Sequence, residues 1–306
     1  MRFERSFGLE WREVDPENQS QPGEPVSPEE RGERNPEVEE FFHRLMEKHD
    51  LRRPKPGAEA IAAALQAIQR LGSRIEAQQA DAEPGALKVR YQVTVDISHY
   101  VSEPSLLFAV PPTELPAAVL CYVRPSRYCQ SDRVSSMAWQ QFGHLEPGYG
   151  QAQAVCIWVR DRTRFQPGTS GVNTSALDTL DSCVGVCRDF AHAAISLLRA
   201  LNYPARIVTG VDYGADPGLG PPDFHCYLDV FLGDRWYLFD PTGICPLTGL
   251  IRIATGRDAA DVSFATTFGQ VRGTMPKLSF NAVEDVAAAV LLPYPTTLAI
   301  STASLL

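Results

Sequence analysis

GVCRDFAHAAISLLRALNYPARIVTG, residues 185–210, is followed at 223–243 by DFHCYLDVFLGDRWYLFDPTG, and these two runs decide the fold. From Asp189 to Leu201, the residues Phe190, Ala191, Ala194, Leu197, Leu198 and Leu201 fall on one side of a helix. Nothing breaks that helix before Asn202 and Pro204. Ala205–Val211 reads as a strand, and the Gly- and Pro-rich stretch 214–222 as a loop. His225–Leu232 and Arg235–Asp240 predict two more strands, joined by the two-residue turn Gly233-Asp234. The predicted order is buried helix, strand, loop, strand, tight turn, strand.

Chemistry collects at the ends of these elements. Cys187 stands at the start of the helix. A thiolate there faces unpaired backbone N–H groups and the positive end of the helix dipole, and both lower a cysteine pKa. The same N–H groups can receive an oxyanion during acyl transfer. Gly185 allows a tight approach before the helix and leaves the sulfur accessible at its tip. His225 opens one strand and Asp240 closes the next. In an antiparallel pair the start of the first strand lies beside the end of the second, so the two side chains share one end of the hairpin. The carboxylate can then hold the imidazole in the tautomer whose other nitrogen faces sulfur. Taken singly, a cysteine at a helix start is commonly structural, and an Asp before Pro is commonly a turn former. Their conjunction with a histidine at a strand start points to nucleophilic catalysis.

The blocks GVCRDFAHAAISLLRALNYPARIVTG, DFHCYLDVFL and RWYLFDPTG resemble the transglutaminase-like superfamily, in particular its bacterial branch. PSRYCQSD (125–132) and TSALDTL (174–180) are similar to segments that precede its core, so the resemblance runs from about residue 122 to 270. It implies an α+β, papain-like core in which the nucleophile's helix packs on an antiparallel sheet. It also implies that Cys187, His225 and Asp240 fill the triad positions, with no substitution at any of them. The activity implied is cysteine-dependent acyl transfer on an amide bond through a thioester. Hydrolysis of a peptide, protein or small amide is the expectation. Transglutaminase-type crosslinking to an amine, an acyltransferase using a thioester donor and a non-catalytic binding or scaffold protein are the alternatives. The branch usually carries a longer β-rich domain ahead of its PSRY-type residues; here strand-like sequence is confined to 88–123.

Outside the core the composition changes. Residues 1–90 hold 32 of the Lys, Arg, Asp and Glu side chains, against 33 in the remaining 216 positions. Residues 1–34 read as disordered or linker, chiefly from the Pro-, Glu-, Gln- and Ser-rich stretch Asp15–Glu33. Residues 35–87 read as a helical extension. One helix starts at Asn35-Pro36 and a second spans Ala58–Gln79, with Ile61, Leu65, Ile68, Leu71 and Ile75 at helical spacing. Residues 88–123 are expected to form a short β segment, with strands near Lys88–Ile97 and Ala117–Val123, and 124–306 the catalytic domain. Within the latter, 134–142 and 151–160 read as helices and 165–179 as a loop.

A net charge of −9 argues against nucleic acid as a partner, and the absence of a long apolar run argues against a membrane span. Seven cysteines in a chain without an apolar leader point to a reduced, cytoplasmic protein. No zinc- or calcium-type spacing occurs, so neither a metal nor an organic cofactor is expected. Cys183 is read as an ordinary thiol rather than a redox partner of Cys187, and His192 as a packing or hydrogen-bonding group. Arg188 and Asp189 are expected to pair near the helix start, and Asp229 to be a hydrated neighbour of the site. Tyr213 and Phe224, flanking the loop before His225, are the candidates for lining the substrate groove.

Overall fold

The computed structural model describes residues 2–12, 87–216, 218, 223–263, 272–273, 277–282 and 293–303. The chain divides into two compact units. One comprises residues 1–5, 94–266 and 278–306, the other 6–93 and 267–277. In the smaller unit Trp11 pairs with Gly273 and Arg12 with Arg272 in antiparallel register. These pairs belong to a strand over Arg2–Arg12, so the linker expected from residue 1 does not begin there. The signal was present: Phe3, Phe7, Leu9 and Trp11 recur with a period of two, interrupted at Arg5. The stretch Asp15–Glu33 and both helices expected over 35–79 lie outside the described residues.

The larger unit carries helices α1 (Ser135–Phe142), α2 (Tyr149–Arg162), α3 (Ala176–Ser182) and α4 (Cys187–Ala200). After them come strands β1 (Ala205–Asp212), β2 (Phe224–Leu232), β3 (Arg235–Phe239) and β4 (Leu250–Gly256). The strands form one antiparallel sheet in the order β3-β2-β1-β4. The tight turn between β2 and β3 places Gly233 at φ 60°, a left-handed conformation with open space where a Cβ would stand. Backbone conformation, not crowding, therefore accounts for glycine at that position.

Helix α4 packs on this sheet. Phe190, Ala194, Leu197 and Leu198 share one core with Leu228, Val230, Tyr237 and Phe239. Leu197 and Leu198 are fully buried, each removing a side chain from water for roughly 1.5–3 kcal/mol. The sequence pattern anticipated one apolar side. Instead, every residue from Asp189 to Ala200 is buried, because α4 contacts α1, α2 and α3 as well as the sheet. Its polar residues are accommodated by specific partners. The Arg199 guanidinium donates to the carbonyl oxygens of Ala205 (3.0 and 2.8 Å), Arg124 (3.0 Å) and Arg257 (2.5 Å). It thereby joins three chain segments at the carboxyl end of the helix, where a cation is also favoured by the dipole. Ser196 donates to the His192 carbonyl at 2.8 Å.

Two local expectations are corrected. Ala117–Tyr122 is a 3-10 helix rather than a strand. Pro116 sets a turn-like entry, and of the six residues Val119 alone is buried, so no alternating face exists to drive pairing. The loop expected over 165–179 ends early, because α3 begins at Ala176. Ser175 caps it: its N–H and hydroxyl both donate to Asp178 Oδ2, at 2.9 and 2.7 Å. The predicted strand near Lys88–Ile97 is found as Leu87–Asp96.

Candidate active site

Cys187 is the first residue of α4, following Val186 in extended conformation. Asp189 fixes this entry by accepting the Val186 N–H at 2.9 Å, the acidic half of a capping box. Gly185 makes room for that contact, since a Cβ there would stand 2.7 Å from the Asp189 Cβ. The other Asp189 oxygen accepts from Ser170 at 2.8 Å and lies 3.6 Å from the Arg188 guanidinium. Arg188 also donates to Ser170 and to the Gly171 carbonyl. The expected Arg188–Asp189 pairing is thus present, and it ties the loop after Phe165 to the nucleophile's turn. On the same side, Phe165 pairs with Gly185 in a short parallel ladder.

His225 lies on β2 opposite Gly210. Its Nε2 is 3.1 Å from Asp240 Oδ2, and both side chains are buried. Asp240 follows the last residue of β3. Its Oδ1 accepts the N–H and hydroxyl of Thr242 at 2.9 and 2.8 Å, an Asx turn that fixes the carboxylate. With Nε2 engaged by Asp240, Nδ1 is the ring nitrogen left for Cys187, and His225 and Cys187 each shift the other's ionisation.

Electrostatics follow from these contacts. A hydrogen bond from the Cys226 thiol holds Cys187 well below the usual thiol range. Burial opposes this, while the His225 hydrogen bond and charge and the Cys226 N–H add to it. Burial disfavours a charged His225, but the charge and hydrogen bond of Asp240, with those of Cys187, outweigh it and push the imidazole up to about 10. Burial likewise disfavours ionised Asp240, yet His225 and Thr242 hold it below the ordinary carboxylate range. The combination favours a thiolate beside an imidazolium at neutral pH, and a half-buried Cys187 can present that thiolate to an electrophile.

Other candidates fall outside this cluster. His192 stacks on Tyr128, with ring centroids 5.2 Å apart, and its Nε2 accepts the Ala259 N–H at 3.1 Å. Burial pushes it down to about 3, so it is neutral packing. Asp229 is not hydrated: it is buried against Arg206 at 2.8 Å and Arg252 at 3.5 Å. The spacing from His225 had suggested a shared face, but two nearby guanidiniums supply the solvation that water was expected to give. Cys183 ends α3 in a left-handed conformation, φ 55°, with its thiol towards the Leu180 and Asp181 carbonyls. Tyr213 is half-buried beside the Val211–Ile251 cluster, and half-buried Phe224 opens β2 opposite Val211. Among the described residues no group of three His, Cys, Asp or Glu side chains could hold a metal ion, and no helix is long and apolar enough to cross a membrane. Two participants had escaped the sequence. Thr242 was legible as the third residue of Asp-Pro-Thr-Gly, a turn-forming run; Cys226 carried no signal beyond adjacency to His225.

A family model for the transglutaminase-like superfamily matches residues 136–241, which contain Cys187, His225 and Asp240. A solved structure described as "a Putative Cysteine Protease from Cytophaga hutchinsonii" is 34% identical, with a TM-score of 0.66 over 72% of this chain and 75% of that one. An uncharacterized protein of Mycobacterium leprae is 36% identical over 115 residues, 36% of this chain and 41% of its own length. An uncharacterized Mycobacterium tuberculosis protein is 29% identical over 137 residues, 41% of this chain and 42% of its own. The chain therefore matches less than half the length of these mycobacterial relatives.

Proposed function

The chain belongs to the transglutaminase-like superfamily, and from that premise we propose that it is a cysteine-dependent peptidase or amidase using Cys187, His225 and Asp240. The observation that carries this is the 3.1 Å His225–Asp240 contact beside Cys187 at the amino end of α4. The similarity to a structure described as a cysteine protease, over three quarters of that chain, supports hydrolysis.

In the proposed cycle the Cys187 thiolate attacks the carbonyl carbon of an amide, forming a C–S bond and an oxyanion. Backbone N–H groups of the first turn of α4 and the helix dipole stabilise that charge. The His225 imidazolium gives its proton to the departing amine as the C–N bond breaks, leaving a thioester. His225 then takes a proton from water, the hydroxide attacks, and the carboxylic acid leaves as the thiolate reforms. Asp240 orients the ring and stabilises its cationic form. Tyr213 and Phe224 are proposed to contact the acyl chain. The substrate is a peptide, a protein or a small amide, and the compartment is cytoplasmic, in keeping with seven free thiols.

Trapping the acyl-enzyme tests this directly. Trypsin cuts after Arg164 and Arg188, so residues 165–188 carry Cys187 on one peptide. After acid quench from an activated ester or peptide amide, that peptide should bear the acyl mass at Cys187 and lose it to hydroxylamine. The expected final product is the free acid, even with an added primary amine; an amide product would instead assign transfer. Turnover with the acyl group on another residue would remove Cys187 as the nucleophile.

A further inference from the structure

Strand β1 ends on a buried carboxylate that the proposed cycle does not use. Asp212 is the last residue of β1, lies opposite Leu250 of β4 and is 7% exposed. Its Oδ1 accepts the Asp223 N–H at 2.7 Å, and its own N–H donates to the Asp223 carbonyl at 3.4 Å. The Asp212 carbonyl accepts instead from the Ala215 N–H, 3.4 Å away. A side-chain oxygen thus closes the last rung of the β1–β2 ladder while the main chain turns off into the loop. His225 is the second residue after that rung.

The register also sets where this carboxylate stands. Gly210 is opposite His225 and Val211 opposite Phe224, in unbroken antiparallel pairing. Paired residues share a face and the face repeats every second residue, so Asp212 lies on the His225 side of the sheet. It is a diagonal neighbour of His225, which puts the two Cβ atoms roughly 7 Å apart. Gly210 carries no side chain to come between them. The other groups around this pair are accounted for. Asp240 holds His225 Nε2 at 3.1 Å, and Cys187 approaches from α4. Arg252, opposite Gly210 on β4, reaches Asp229 at 3.5 Å and the Thr302 carbonyl at 2.6 Å. The Tyr227 ring stacks 6.2 Å from that of His225, and the Cys245 thiol is buried and held neutral. Asp223 is exposed, so water screens its charge. Burial pushes the Asp212 carboxyl up, while the Asp223 N–H and the charge of His225 oppose this.

We propose that Asp212 is a positioning residue of the site, a second carboxylate that ties down the start of β2 and favours the cationic form of His225 from across the ladder. This rests on His225 being the base of the proposed function. A carboxylate at that distance makes the imidazolium easier to keep until the departing amine takes its proton. Its effect is smaller than that of Asp240, which touches the ring.

The experiment is a pH titration of the full chain labelled with [15N]histidine, read by long-range 1H–15N correlation. The chain has six histidines, and the His225 signals are those lost in His225→Ala. In the wild type His225 should stay cationic through neutral pH and titrate towards about 10. Asp212→Asn keeps an oxygen for the Asp223 N–H and removes the charge. Its His225 midpoint should fall by on the order of one pH unit. Asp212→Ser, also an acceptor without charge, should give the same fall and serves if the asparagine variant does not fold. Asp223→Asn, which removes an exposed charge equally close in sequence, should move the midpoint less. A midpoint unmoved in folded Asp212→Asn or Asp212→Ser would overturn the proposal, as would an equal fall in Asp223→Asn. In either case a high wild-type midpoint leaves the proposed function standing. Should wild-type His225 instead titrate near the ordinary histidine value of about 6.5, the imidazolium reading fails and this role with it.

Discussion

Cys187→Ser is expected to fold normally and to lose turnover by roughly 10⁶-fold, the scale observed when a triad nucleophile is removed. Serine is close to cysteine in size and is well suited to the first turn of a helix, so α4 should form as before. The chemistry is what changes. The groups around the sulfur are arranged for an anion: the Cys226 thiol and N–H, and His225 held cationic by Asp240. A hydroxyl does not ionise under those influences at neutral pH, and a cationic histidine has no free lone pair on Nδ1 to act as its base. Thermal unfolding by circular dichroism checks the fold, and product formation checks the rate. Activity retained within tenfold of wild type would place the nucleophile elsewhere.

Asp240→Asn should lower kcat by roughly 10²–10⁴-fold, by analogy with triad aspartates. The reason is local. Asp240 Oδ1 accepts the Thr242 N–H at 2.9 Å, so the asparagine carbonyl oxygen is required on that side. Its NH₂ then points at His225 Nε2, which must accept, and the ring proton moves to Nδ1, facing Cys187. Such a histidine cannot take a proton from the thiol. Losing the Asp240 charge also removes the strongest influence raising His225. In the wild type, activity should persist through neutral pH and fall only as the imidazolium deprotonates towards about 10. In the variant that alkaline limb should move to lower pH. A pH–rate profile measures both effects. A near-normal rate and an unmoved limb would leave Asp240 as a turn former only.

The local grammar of 185–243 was legible because each element there has one strong determinant. These are the apolar side of α4, the β-branched run of β1, the Gly233-Asp234 turn and the asparagine and proline after α4. The sequence also carried the placement of Cys187, His225 and Asp240 at element ends, because antiparallel pairing brings the mouth of a hairpin together whatever its exact register. What it could not carry were contacts made across the fold. Arg199 looks like a surface residue at a helix end until the segments at 124–126 and 257 close over it. Asp229 reads as hydrated until Arg206 reaches it from the adjacent strand β1 and Arg252 from β4 beyond it. Cys226 is one residue from the predicted site, and its influence on the ionisation of Cys187 depends on how α4 lies against β2. Short elements failed differently. At Ala117–Tyr122 a β-branched and apolar composition suggested a strand, but proline geometry and a single buried position favoured 3-10 turns.

Iodoacetamide labelling against pH, with each cysteine followed by mass spectrometry, tests most directly whether Cys187 is a thiolate paired with a His225 imidazolium. In the wild type, Cys187 should alkylate faster than every other cysteine well below pH 8, and His225→Ala should abolish that advantage. Labelling of Cys187 no faster than the other six, or unchanged in His225→Ala, would contradict the claim.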